Sequence, residues 1–211
     1  WRKVAIAASV RMYTLAAQMS IVLISARVLG PEGRGAIAAA TGWASLFALA
    51  LGLSLGHAVT SQAAEHRSVS WLSDTLKILF AYTCAATVFG WMLLFAIYST
   101  IGTRVFGELD PLLLAVAFAA LPFLIWAQYQ PFILTAMQRL DIANRATSAG
   151  RTISLLAVAF VLLALGGDTV SALLAVQLGE AAIALVGLRL VMRYTSLSTR
   201  LTIGGAYPLL K

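Results

Sequence analysis

Residues 4–31 read VAIAASVRMYTLAAQMSIVLISARVLGP, a long apolar run closed by Gly30-Pro31. Such a run exceeds the ~20 residues a helix needs to cross a bilayer's hydrocarbon core. Its apolar residues are continuous rather than alternating, so the period of two that marks a membrane strand is missing. Glycine suits a helix C-terminus and proline cannot continue the helix, so the run predicts a spanning helix over 4–29. Five more runs of the same character follow: 36–61, 76–101, 111–137, 153–165 and 169–192. The fifth is short and extends back through Arg151 and Thr152. Between the runs, 30–35 reads as a tight loop and 138–150 as a polar connection. Pro111 is well placed at a helix start. Asp168, after Gly166-Gly167, is placed to cap the last helix.

The predicted fold class is therefore all-α integral membrane. A six-transmembrane-helix bundle fills 1–194, and 195–211 is a cytoplasmic or interfacial segment leading to a second lobe. Composition supports lipid as the solvent. Of 211 residues, 61% are hydrophobic and only 11% are charged, and mean hydropathy is +0.90. A soluble domain carries roughly 25% charged residues, because its exterior must meet water.

The net charge of +7 does not indicate nucleic acid. The basic residues sit at span ends and form no basic, aromatic-interleaved face. Arg27, Arg34 and Arg104 fall on one side of the membrane, and most other basic residues fall on the opposite side. The positive-inside rule then places both ends in the cytoplasm, with the chain multi-pass in the inner (cytoplasmic) membrane. An even number of spans would let a second, similar lobe insert in the same orientation. Trp1 at the start and the mixed segment ending at Lys211 read as the bounds of a fragment of a longer protein.

No catalytic constellation is legible, and the chain reads as no enzyme. His57 and His66 lack metal-ligand spacing, and no nucleotide-binding glycine motif occurs, so neither metal nor cofactor is expected. Cys84 lies in an apolar run and reads as core.

The informative residues are polar ones inside the spans, because ionisable groups there face a bundle interior or a wet cavity. Arg11, Thr14, Gln18 and Ser25 recur at helical spacing on the first span, with Arg11 set either to meet an anion or to reach the interface. Arg27 ends that helix, where it also complements the helix dipole. Arg34 either pairs with Glu32 or rims a cavity mouth. Glu180, near the middle of the sixth span, has Gln177 on the same face. A carboxylate at that depth must be protonated, paired or hydrated, which makes it an ion-coupling candidate or a contact between helices. Gly52 and Gly56 permit close helix approach. Pro122 and Pro131 should kink the fourth span, with Gln128 and Gln130 beside the second kink.

Ala26-Arg27-Val28-Leu29-Gly30-Pro31-Glu32-Gly33-Arg34-Gly35, followed by Leu53-Ser54-Leu55-Gly56-His57-Ala58, resembles the polysaccharide biosynthesis proteins. These are O-antigen and teichoic-acid exporters, Wzx-type flippases of the multidrug/oligosaccharidyl-lipid/polysaccharide (MOP, MATE-like) superfamily. Gln138-Arg139-Leu140-Asp141-Ile142-Ala143-Asn144-Arg145 is a second match. The resemblance implies the N-terminal lobe of a two-lobed MOP-type transporter, whose C-terminal lobe is missing from this chain. It implies alternating access for a polyprenyl-diphosphate-linked oligosaccharide, with membrane lipid and the glycan polymerisation machinery as further partners. Cavity cations engage the anionic carrier, and Arg11 and Arg27 are the nearest positional matches. The substrate-binding set so read is Arg11, Gln18, Arg27 and Gln177, with Arg34 at the rim and Glu180 for ion coupling. Two other readings remain at this stage. One is a cation-coupled antiporter of drugs or small solutes, and the other is a non-transporting scaffold of a glycan-synthesis complex.

Overall fold

The computed structural model describes residues 2–52, 55–56, 70–136 and 140–203. Parts of the second expected span, with His57 and His66, lie outside the described residues. Among the described residues there are helices and turns and no strand. In chain order they are α1 (Arg2–Gly52), α2 (Ser70–Phe106), α3 (Pro111–Ala119), α4 (Leu121–Ala136), α5 (Leu140–Ala159) and α6 (Thr169–Ile203). A π-helical turn, Phe160–Ala164, prolongs α5. Five segments are long and apolar enough to cross a membrane: Ala8–Gly52, Thr75–Gly102, Pro111–Thr135, Asp141–Ala164 and Thr169–Met192. The protein is an all-α, multi-pass membrane protein.

The count is five continuous segments rather than six because the first two expected spans are joined. The loop expected over 30–35 shrinks to one residue, Gly30, whose φ of 74° and ψ of 177° break the helix. Only glycine adopts that backbone region without strain. Pro31 then takes the first position of the second arm of α1, where its missing N–H costs nothing. A straight helix of 45 residues would reach about 68 Å, over twice the hydrocarbon thickness. Instead Gln18 on one arm and Ser45 on the other line the same cavity, so the chain doubles back at Gly30.

The prolines of the fourth expected span behave differently from one another. Near Pro122 the helix breaks at Ala120, dividing α3 from α4. Pro131 sits inside an unbroken α4, so the second kink is not formed as a break. The polar connection expected up to Gly150 is also corrected, since α5 begins at Leu140. Polar residues at helical positions cost little where they face water or a neighbouring helix, so polarity alone misread this stretch. Further on, α6 continues to Ile203.

Capping follows the chemistry. Asp110 Oδ1 accepts from Leu112 N at 2.9 Å, with Pro111 opening α3. Asp168 Oδ1 accepts from Ser171 N at 2.9 Å and opens α6. That N–H bond favours the carboxylate and holds Asp168 below its ordinary value.

The core centres on α3 and α4, the most enclosed of the five segments. Phe118 is fully buried and meets Phe47 and Trp91 in T-shaped pairs, with ring centroids 4.8 and 6.2 Å apart. The face-to-edge arrangement suits ring quadrupoles. By contrast α2 exposes Ile78, Phe80, Phe89, Met92 and Phe95. In a lipid solvent that surface is satisfied. Cys84 shares this exposure, so it is not core as its apolar neighbours suggested.

A close backbone approach joins α5 to α6. A Cβ on Gly150 would lie 2.7 Å from the Gly179 carbonyl oxygen, and one on Gly179 would lie 2.6 Å from that of Gly150. Gly179→Val should therefore force the helices apart, at a cost of about 2 kcal/mol or more, whereas Gly42→Ala, which meets open space, should be neutral. Thermal unfolding in detergent reads the difference. Asp168→Ala should lose about 1 kcal/mol of capping. Because folding lowers the Asp168 value, its stabilisation is present above the ordinary 3.8 and fades as pH falls below it. Asp168→Asn keeps the cap, so its unfolding profile should lose that acid-side dependence.

Candidate functional site

A cavity of about 390 Å³ opens between both arms of α1, the α3–α4 junction, α5 and α6. Ile21, Val22, Ile37, Leu124 and Val176 make much of its wall. Five long polar side chains interrupt that wall: Gln18, Arg34, Arg151, Gln177 and Glu180.

The glycine crossing builds the charged part. Arg151 and Glu180 each follow one of the two touching glycines, so they leave the crossing side by side. Arg151 Nη1 donates to Glu180 Oε1 at 2.6 Å. The side chains are 20% and 19% exposed, so the pair is largely withdrawn from solvent yet reachable from the cavity. Ser154 is buried one turn beyond Arg151, and its hydroxyl donates to the Val176 carbonyl at 3.0 Å, fastening the same crossing. An unpaired carboxylate at this depth would be costly, and the guanidinium offsets part of that cost.

Arg34 comes from the first turn of the second arm of α1. It is half-buried, lines the cavity, and makes no ion pair with Glu32, which is exposed. Among the described residues it has no hydrogen-bond or ion-pair partner. Two guanidiniums against one carboxylate leave the cavity net positive.

Gln177 has a structural bond as well as a place in the wall. Its Nε2 donates to the Val116 carbonyl at 2.7 Å. That carbonyl is available because Ala120 N, its normal helical donor, turns to Ala117 O at 3.3 Å where α3 ends. Gln177 thus ties α6 to the broken helix. Gln18 is exposed while lining the cavity, which puts it at the mouth.

Arg11 and Arg27 are exposed and do not line this cavity. The polar stripe expected on the first helix divides. Thr14 and Ser25 are buried and donate to their own helix, at 2.8 Å to Arg11 O and 2.7 Å to Ile21 O. A second cavity, of about 480 Å³, adjoins the first at Ser45 and is lined by Gln128, Tyr129 and Phe132. Gln128 and Phe132 lie over Gly52 and Gly56, so those glycines admit side chains from α4. Gln130 is buried with its Oε1 unpartnered.

Arg151 is not among the residues expected at the site, because it stands at the edge of the fifth apolar run, where basic residues commonly mark a membrane face. A signal was present. Arg151 and Glu180 stand at nearly equal distances from the Gly166 turn, each directly after a glycine and opposite in sign. In a helical hairpin those positions share one depth.

A family model described as polysaccharide biosynthesis protein matches residues 1–204. The chain belongs to that family. No curated protein and no solved structure shows a significant match to it. In this member of the polysaccharide biosynthesis family, the cavity brings a paired and an unpaired cation against an apolar wall.

Arg151→Ala should leave Glu180 as an uncompensated carboxylate and lower stability by about 2 kcal/mol, less than a fully buried pair would lose. Arg151→Lys should recover part of it. Thermal unfolding of the purified protein checks both, and equal stability of the Ala and native forms would remove the pair's structural role.

Proposed function

We propose that this chain is one lobe of a transporter that flips a polyprenyl-diphosphate-linked oligosaccharide across the cytoplasmic membrane by alternating access. The observation that carries the reading is the net-positive cavity set among apolar helices. A diphosphate cannot cross hydrocarbon bare, since the desolvation cost is prohibitive, and it needs cations along a wet path. Arg34 and Arg151 supply the cations, and Gln18 and Gln177 supply amides for sugar or phosphate oxygens. The adjoining cavity at Ser45 lengthens the path toward the Gly52 end of the bundle.

Counting the two arms of α1 as separate crossings gives six spans and puts both ends on one side. The distribution of Lys and Arg makes that side the cytoplasm. A second lobe in parallel orientation would face this one across the cavity. Arg11 and Arg27, exposed on α1, take no direct part in the site.

The cavity favours transport over a scaffold role, which requires no polar path. The antiporter reading asks Glu180 to bind a coupling cation, and its bond to Arg151 favours anion handling instead.

The test uses the full-length protein in cells lacking the native copy. Export of surface polysaccharide should fall at least about tenfold when Arg34→Ala and Arg151→Ala are combined, with membrane levels held equal; the loss of two cationic contacts readily accounts for that factor. Arg104→Ala, an exposed change outside the cavity, should export normally. Normal export in the double variant overturns the reading.

A further inference from the structure

The two cations of the cavity are in different states. Arg34 has no partner among the described residues, while Arg151 is covered by Glu180. The covering bond is a single one, from Nη1 to Oε1. A guanidinium carries five donors, so most of the binding capacity of Arg151 is unused by this bond.

We propose that Glu180 is a resident counter-ion, which occupies Arg151 while the cavity is empty and is displaced by an incoming diphosphate group. The proposal rests on the transport reading of the cavity given above. Arg34 is then the open cation, and Arg151 engages once Glu180 lets it go. A diphosphate presents several oxygens to a planar fork that favours two-point contact, so it competes well against a one-point carboxylate.

The device solves a problem that two bare guanidiniums would create. In a low-dielectric cavity they would hold a dianion too firmly, and passage requires binding weak enough to allow departure. Glu180 sits on α6, held beside Arg151 by the glycine crossing. It remains next to the ligand and recaptures Arg151 as the ligand leaves. The carboxylate therefore sets both the affinity of the site and its reset.

The experiment measures binding of inorganic pyrophosphate to the purified full-length protein by calorimetry, for the native form, Glu180→Gln, Arg151→Gln and the double variant. Glu180→Gln should bind about tenfold more tightly, within the usual range of coupling between sites. In the Arg151→Gln background, Glu180→Gln should tighten binding less, because only charge repulsion is then relieved and no competition for Arg151 remains. Equal tightening in both backgrounds overturns the proposal, since the carboxylate would then act on the cavity as a whole. Unchanged or weaker binding in Glu180→Gln also overturns it. If Arg34→Ala still weakens binding in that case, the anion site stands and only the counter-ion role falls. Absence of binding of both pyrophosphate and a short-chain prenyl diphosphate to the native protein removes both readings.

A short-chain prenyl diphosphate run in parallel separates the two sources of the same chemistry. Tighter binding of the prenyl form assigns a lipid headgroup, and equal binding assigns a free diphosphate. In either arm the Glu180→Gln tightening is required. Should Glu180→Gln fail to fold, Glu180→Met serves as the uncharged replacement. Carbodiimide labelling of the native protein gives an independent readout, with exposed Asp168 as the internal reference. Pyrophosphate should raise labelling at Glu180 relative to Asp168, and constant labelling overturns the displacement.

Discussion

Two peptide backbones touch where Gly150 of α5 meets Gly179 of α6, and the polar architecture of this membrane bundle depends on that contact. Any side chain at either position would push the helices apart. At contact distance, Arg151 and Glu180 reach one another directly, and Ser154 reaches the Val176 carbonyl. Ion pair, hydroxyl bond and cavity wall are all consequences of two missing Cβ atoms. In lipid, close packing of this kind replaces the hydrophobic force that assembles soluble helices.

The cavity itself arises from breaks in helices. Where α3 gives way to α4, the Val116 carbonyl loses its usual donor and Gln177 supplies one. Where α1 reverses at Gly30, Arg34 follows within a turn and is carried against the bundle. Irregular backbone is tolerated at membrane depth where protein or water covers it. Here those irregular points border the polar space, so the features that weaken helices also furnish it.

Much of the fold was legible because lipid imposes a simple code. Long apolar runs, Gly30-Pro31, Pro111 and Asp168 carry local signals whose outcome distant residues do not alter. Residues 140–150 look like a loop by polarity alone, whereas they belong to a helix whose crossing partner lies beyond the next turn. The same dependence on a distant neighbour concealed Arg151. Cys84 misled for a different reason: in a membrane protein an apolar run says that a helix is immersed, and only packing says which of its faces is inward. Of the expected site residues, Gln18, Arg34, Gln177 and Glu180 share a cavity, while Arg11 and Arg27 lie outside it. Helical spacing placed the residues of a stripe on one face but could not tell which of them would satisfy their own backbone.

The reversal of α1 is confined to Gly30. A connection of several residues would give two helices slack, letting one slide while the other stayed still. A single-residue pivot gives none. Axial travel of the first arm must be taken up by the second at once, and what remains between them is swing about one pair of torsions. The arms thus behave as a lever with a fixed fulcrum at one end of the bundle. Gln18 and Arg34, on opposite limbs of that lever, change their separation whenever it opens.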